Sequence, residues 1–148
     1  MKAVVQRVRN ASVTVNGDIV GAIERGALIL LGVAADDSTE QAKMLARKIA
    51  HLRFFPDDAG VPNLSLVDTG FGSLVVSQFT LLGDARRGNR PSYVAAAPPE
   101  LAERLYLEFV ESLRSHVAGP VATGRFRAMM DVASVNEGPF TLLVESKI

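Results

Sequence analysis

Apolar and polar positions change period several times along the chain, and each change marks an element. Ala3-Val4-Val5-Gln6-Arg7-Val8 and Ala11-Ser12-Val13-Thr14-Val15 are rich in β-branched residues and read as strands. Asn16-Gly17 followed by Asp18-Ile19-Val20-Gly21-Ala22-Ile23 is a two-residue hairpin signal. Gly26 then opens Ala27-Leu28-Ile29-Leu30-Leu31-Gly32-Val33, a continuous apolar run that predicts a central strand buried on both faces. Ser38 with Gln41 makes a capping box, and Ala42, Leu45, Ala46, Ile49 and Leu52 recur at helical spacing, so a helix is predicted over 38–52. Pro56 to Gly60 is a turn cluster, and residues 72–82 form a second strongly β run. Residues 83–92 have no period and several breakers, which predicts a loop. Pro98-Pro99-Glu100 starts a second helix with Leu101, Leu105, Phe109 and Leu113 on one face, stopped by Gly119-Pro120. Three closing strands are predicted at 121–123, 128–135 and 140–145. Strands come in runs around only two substantial helices, so the expected class is α+β: a mainly antiparallel, curled, barrel-like sheet with two principal helices.

Composition narrows the picture. With 148 residues and 48% hydrophobic content the chain fits a single domain over 1–148, and no repeat, linker or low-complexity segment divides it. Sixteen Lys+Arg balance sixteen Asp+Glu, so no global field marks a general nucleic-acid binder, and RNA contact would have to come from a local patch. No DNA partner is expected. Met1-Lys2-Ala3-Val4-Val5 is β-like rather than leader-like, and no apolar run approaches the ~18 residues of a membrane span, so the expected location is cytoplasmic with no membrane partner.

The familiar catalytic kits are thin. The absence of cysteine removes a disulfide frame, a thiolate metal site and a Cys nucleophile. His51 falls off the apolar stripe of the first helix and His116 sits in the last turn of the second, so both are expected at the surface. Carboxylates lie in turns without metal-ligand spacing, and the glycines form no phosphate-binding fingerprint. No metal and no cofactor are expected.

Two stretches stand out. Leu74-Val75-Val76-Ser77-Gln78-Phe79-Thr80-Leu81 reads as a core-quality strand whose alternation puts Ser77 and Phe79 on one face, Gln78 and Thr80 on the other. Gln78 and Thr80 either satisfy backbone groups where the strand leaves the sheet or line a small polar pocket there. Asn136-Glu137-Gly138-Pro139 lies between two predicted strands, and its Gly-Pro either separates them or also handles a ligand. An X-Pro bond is cis in about 5–6% of folded cases, and a cis bond would set two carbonyls side by side as an acceptor for an ammonium group. Phe140 beside it is ordinary strand packing or a wall next to the ligand.

Ser77-Gln78-Phe79-Thr80 together with Asn136-Glu137-Gly138-Pro139-Phe140-Thr141 resembles the two signature motifs of the D-aminoacyl-tRNA deacylases. Met1 to Val8, Asn63-Leu64-Ser65-Leu66, Gly88-Asn89-Arg90-Pro91-Ser92 and Thr123-Gly124-Arg125-Phe126 are similar to the same family, in the same order. Departures are Phe140 where Val is typical, Arg127 where Gly is common, and Val61-Pro62 in place of a more polar pair. The resemblance implies a hydrolase that cleaves the ester joining a D-amino acid, or glycine, to the 3′ end of tRNA. It also implies a homodimer in which Gly138 and Pro139, joined by a cis bond, enter the partner's pocket beside Ser77, Gln78, Phe79 and Thr80. There Gly138 and Pro139 would hold the substrate ammonium and exclude L-amino acids by a clash. Arg7, Asn136 and Thr141 would support that segment, although an exposed strand charge is an equal reading of Arg7.

Positioning and oxyanion stabilisation by backbone N–H groups near Phe79 and Thr80, with the ribose 2′-OH helping to activate water, would account for the missing base. Thr80 as a covalent nucleophile is the rival mechanism. Arg86, Arg87 and Arg90, with Arg125 and Arg127, are candidate tRNA contacts or ordinary solvated loop charges. Two other readings remain: a noncatalytic small-ligand or RNA-binding module on the same scaffold, and a deacylase that edits a mischarged L-amino acid.

Overall fold

The computed structural model describes residues 1–146. Its spine is one long strand, β1 (Lys2–Val15), which takes partners along both edges. On one edge Lys2 to Val8 pairs with β3 (Gly26–Gly32) and Ala11 to Val15 with β2 (Asp18–Ile23). On the other edge it pairs with β8 (Asp131–Glu145) along nearly its whole length. All three pairings are antiparallel. β3 continues into a parallel pair with β6 (Gly72–Ser77), and β6 into another with β7 (Val121–Thr123). The sheet is thus mixed and curls until β7 meets β2: a Cβ built on Gly21 would lie 2.2 Å from the Thr123 carbonyl oxygen. Gly26 is needed for the same kind of closeness, because its Cβ would fall 1.8 Å from the Gly72 oxygen.

Alternation along these strands feeds two cores. Val8, Val13, Ile23, Leu28, Leu74 and Val76 point inside the curl, while Ala3, Val5, Ile29, Leu31 and Val75 face the helices. The helices are α1 (Thr39–His51) and α3 (Pro99–His116); a short ribbon of β4 (Phe55–Pro56) and β5 (Pro62–Leu64) and a one-turn α2 (Leu66–Thr69) carry the chain from α1 back to β6. Ser38 caps α1 with the reciprocal bonds its sequence predicts: the Ser38 N–H donates to Gln41 Oε1 at 2.8 Å, and the Gln41 N–H donates to Ser38 Oγ. α1 and α3 run parallel. Arg104 donates to Thr39 Oγ1 at 3.2 Å near their first turns, and the His51 and His116 rings meet edge-on at 5.8 Å at their far ends.

Three sequence expectations change. The β run at 72–82 ends at Ser77, and Phe79–Leu82 is a 3-10 turn. The physical reason is loss of partners: Gln78 N–H donates the last ladder bond to the Leu31 oxygen, β3 stops at Gly32 and β7 at Thr123. Backbone groups without a ladder close on themselves. The runs at 128–135 and 140–145 are one strand, and so are the two runs of β1. Gly138-Pro139 therefore does not reverse the chain. Thr141 opposes Gln6 and Asn136 opposes Val8, so β8 spends five steps where β1 spends two, and three surplus residues bulge outward. Proline is tolerated because β8 is an edge strand.

Candidate functional site

The end of β6, the 3-10 turn, the first turn of α3 and the segment after β7 enclose a cavity of about 700 Å³. Ser77, Gln78 and Phe79 line it from the turn, Tyr93, Pro99 and Ala102 from the start of α3 and the loop before it. Phe126, Arg127, Met129, Met130 and Val132 close the other wall. That volume is in the range of small-molecule sites, and the walls are mostly apolar with a few polar groups at one end. Phe79 meets Tyr93 edge-on at 5.2 Å, and Phe79 is still 55% exposed, so this pair forms an open aromatic rim.

The 3-10 turn matters for its backbone. Its internal bonding starts when Leu81 N–H donates to the Gln78 oxygen at 3.3 Å, so the N–H groups of Phe79 and Thr80 precede the first donor of the turn. Thr80 is exposed, and its hydroxyl oxygen accepts from the Gln78 side-chain amide in a short contact. An amide N–H cannot take a proton from that hydroxyl. The two histidines are no help. His116 ends the helix whose first turn lines the cavity, seventeen residues or about 25 Å away along α3. His51 is exposed as expected, but His116 is half-buried against it, a correction to the surface expectation. Among the described residues no cluster of three potential metal ligands exists.

Gly138 and Pro139 are exposed, and the peptide bond between them is cis. They do not line the cavity of their own chain. Val132, which does, opposes Val13, while Asn136 opposes Val8; five positions on β1 amount to about 17 Å. The flanks of the pair are tightly held. Asn136 Oδ1 accepts from the Phe140 N–H at 2.8 Å, its amide donates to Thr141 Oγ1 at 3.1 Å, and Gln6 donates to the same hydroxyl at 3.2 Å. Arg7 lies beneath, donating through Nε to the Glu137 carbonyl at 3.1 Å and through Nη1 to the Phe54 carbonyl at 2.8 Å. Phe140 turns inward, stacked on Phe54 at 5.6 Å with Arg7 5.1 Å from its ring centre. Gly138 has φ +134°, and a Cβ there would stand 3.0 Å from Arg7 Nη2, so the position requires glycine.

The loop arginines differ from one another. Asp84 grips Arg86 in a bidentate pair at 2.6 and 2.9 Å, and those bonds hold the Asp84 carboxyl down at about 2. Arg87 and Arg90 are exposed at the tip of the loop closed by the Asp84–Ser92 bridge. Arg125 is exposed on the segment after β7, and Arg127 is on the cavity wall with φ +64°. Sequence reasoning missed Tyr93 and the Met129-Met130 pair, whose signal was an aromatic or soft side chain within a loop; Phe126 it picked out only as part of a family-like stretch, without a place in the site. No helix among the described residues is long and apolar enough to cross a membrane.

The family model described as D-Tyr-tRNA(Tyr) deacylase matches residues 4–145. A D-aminoacyl-tRNA deacylase of Desulfatibacillum aliphaticivorans is 58% identical over 99% of this chain and 100% of its own length. One of Syntrophobacter fumaroxidans is 57% identical over 99% and 98%. A solved structure described as c-Myc DNA unwinding element binding protein matches all of both chains with a TM-score of 0.94 at 42% identity. A probable eukaryotic D-amino acid tRNA deacylase shares the fold, with a TM-score of 0.85 at 17% identity over 97% and 98% of the two chains.

Proposed function

Because the chain belongs to the D-Tyr-tRNA(Tyr) deacylase family and is an ester hydrolase of the D-aminoacyl-tRNA deacylase type, we propose that its whole length acts as one chiral-proofreading domain. The substrate is the aminoacylated 3′ end of tRNA, and glycyl-tRNA, which has no side chain to clash, is accepted as well. The aminoacyl ester enters the 700 Å³ cavity with its carbonyl against the 3-10 turn. The observation that carries this reading is the pair of N–H groups of Phe79 and Thr80 at the free start of that turn. Water attacks the ester carbon, the carbonyl oxygen takes the negative charge beside these donors, and the ribose oxygen leaves as a hydroxyl. Ser77 and Gln78 frame the ester, and the ribose 2′-OH assists the water, since among the described residues the cavity wall offers no histidine or carboxylate.

Chiral choice comes from a second copy. The two chains pair across β8, whose outer edge is free and carries exposed Val132, Val135, Leu142 and Leu143. Each chain then places Gly138 and Pro139 at the other's cavity mouth, where their carbonyls accept the substrate ammonium. An L-amino acid would direct its side chain into the same segment. Support for action in trans is the exposure of Gly138 and Pro139 and their distance from their own cavity. Among the described residues, Arg127 on the wall and the exposed Arg87, Arg90 and Arg125 form no ion pair and are available to phosphates, whereas Arg86 is held by Asp84. The protein works in the cytoplasm, where charged tRNA is found.

The test is to incubate the protein with D-Tyr-tRNA and L-Tyr-tRNA and follow ester loss, with sedimentation to read the oligomeric state. Turnover of the D form alone by a dimer supports the reading; turnover of the L form alone supports an L-editing deacylase. The name carried by the structure at 42% identity favours a second reading, a nucleic-acid-binding module without catalysis. Binding of tRNA or duplex DNA with both esters intact would establish it.

A further inference from the structure

We infer that Glu137 is a positioning residue whose carboxylate fixes how far Gly138 and Pro139 project, and so sets the margin between D- and L-substrates. The inference rests on the chiral role proposed for that segment. Glu137 immediately precedes Gly138, and its side chain is only 21% exposed. Three arginines from separate places converge on its carboxylate: Arg25 Nη2 at 3.3 Å, Arg9 Nε at 3.6 Å and Arg7 Nε at 3.8 Å. Arg7 Nε also holds the main-chain carbonyl of Glu137 at 3.1 Å. Both the side chain and the backbone of the residue before Gly138 are therefore tied down.

The arginines are anchored unequally. Arg7 also bonds the Phe54 carbonyl, so its loss would disturb main chain elsewhere. Arg9 is 70% exposed and belongs to the irregular stretch of β1 between Val8 and Asn10. Arg25 sits in the turn between β2 and β3, where its own carbonyl accepts from the Gly72 N–H at 3.1 Å and its guanidinium lies 4.8 Å from the Phe71 ring centre. Among the described residues its guanidinium reaches the Gly138 segment through the Glu137 carboxylate alone. The side opposite is held by Asn136, Thr141 and Phe140. Remove the carboxylate anchor and one flank of the bulge is free to swing, while the barrel keeps its cores.

A half-exposed ion pair adds little to global stability, but a displacement of about 1 Å at a positioning group costs roughly a hundredfold in rate. The effect should therefore fall on selectivity. Glu137→Gln, Arg25→Met and the double variant are compared with wild type for single-turnover deacylation of D-Tyr-tRNA and L-Tyr-tRNA, with melting temperatures alongside. Glu137→Gln is expected to lower the D/L ratio at least about tenfold, through faster L-turnover and a higher KM for the D form more than a lower kcat. Arg25→Met should move the ratio the same way, and the double variant should be no worse than Glu137→Gln alone. If Glu137→Gln does not fold, Arg25→Met gives the reading. A wild type that discriminates, alongside single variants with unchanged ratios or a double variant whose effects multiply, overturns this inference alone. A wild type that does not discriminate overturns the chiral reading itself.

Discussion

Tyr106 of α3 donates its phenolic O–H to the Val75 carbonyl of β6 at 2.8 Å, tying the helix to the strand four residues before the 3-10 turn starts at Phe79. The same carbonyl also accepts from the Gly124 N–H at 3.2 Å. Burial pushes the Tyr106 hydroxyl up to about 12. In the unfolded chain it ionises near its ordinary value of 10. Between these values the unfolded chain has lost a proton that the folded one keeps, so stability falls as pH rises through that window. The full drop is on the order of 3 kcal/mol. Tyr106→Phe should cost about 1 kcal/mol at pH 7 and flatten the alkaline loss; urea titrations at pH 7 and pH 11 read both.

Gly138→Ala should cut kcat/KM for D-Tyr-tRNA by about a hundredfold or more while leaving the fold in place. The new Cβ would press on Arg7 Nη2 at 3.0 Å in a backbone conformation that L-residues rarely adopt. Circular dichroism should be unchanged and the melting temperature only a few degrees lower. Retention of wild-type kcat/KM would show that this segment does not touch the substrate.

Thr80→Ala should keep turnover within about tenfold of wild type, because its hydroxyl is bonded to an amide that cannot serve as a base. Rapid acid quench of wild type should trap no acylated protein. A loss of a thousandfold together with a trapped ester would make Thr80 the nucleophile.

Ser73 is fully buried on β6 and its hydroxyl has no partner among the described residues. Ser73→Ala removes that buried oxygen and should raise stability by about 1 kcal/mol, seen as a melting temperature about 3 °C higher. A lower melting temperature would mean the hydroxyl is satisfied in solution.

Much of this architecture was readable from residue patterns, and what was misread has a common cause. The Ser38 box, the Asn16-Gly17 hairpin with φ +50° and +82°, and the central Gly26–Gly32 strand are written in local chemistry. The end of β6 is not: Gln78 and Thr80 alternate as they would in a strand, and only the departure of β3 at Gly32 makes the chain curl. Pro139 likewise reads locally as a separator, yet β1 continues past it and holds both halves of β8 in one strand. The polar motifs Ser77 to Thr80 and Asn136 to Thr141 could be picked out by eye; the aromatic rim of Phe79 and Tyr93 depends on a contact between loop and turn that no spacing encodes. The arginine ring around Glu137 joins positions 7, 9, 25 and 137, and only the pairing of β1 with both β3 and β8 brings them together.

The three surplus residues in β8 limit how this protein can evolve. Both flanks are locked to β1, so a residue deleted or inserted between Asn136 and Thr141 must be absorbed by the bulge itself; if one flank slipped by a step instead, its inward and outward faces would exchange. Phe140 and Val144, which pack on the helix-side core, would be turned toward water. The reach of the protrusion is thus set by those three surplus residues, and a lineage that altered its substrate range would have to change their number with both flanks kept in place, or substitute residues at the seat of the bulge.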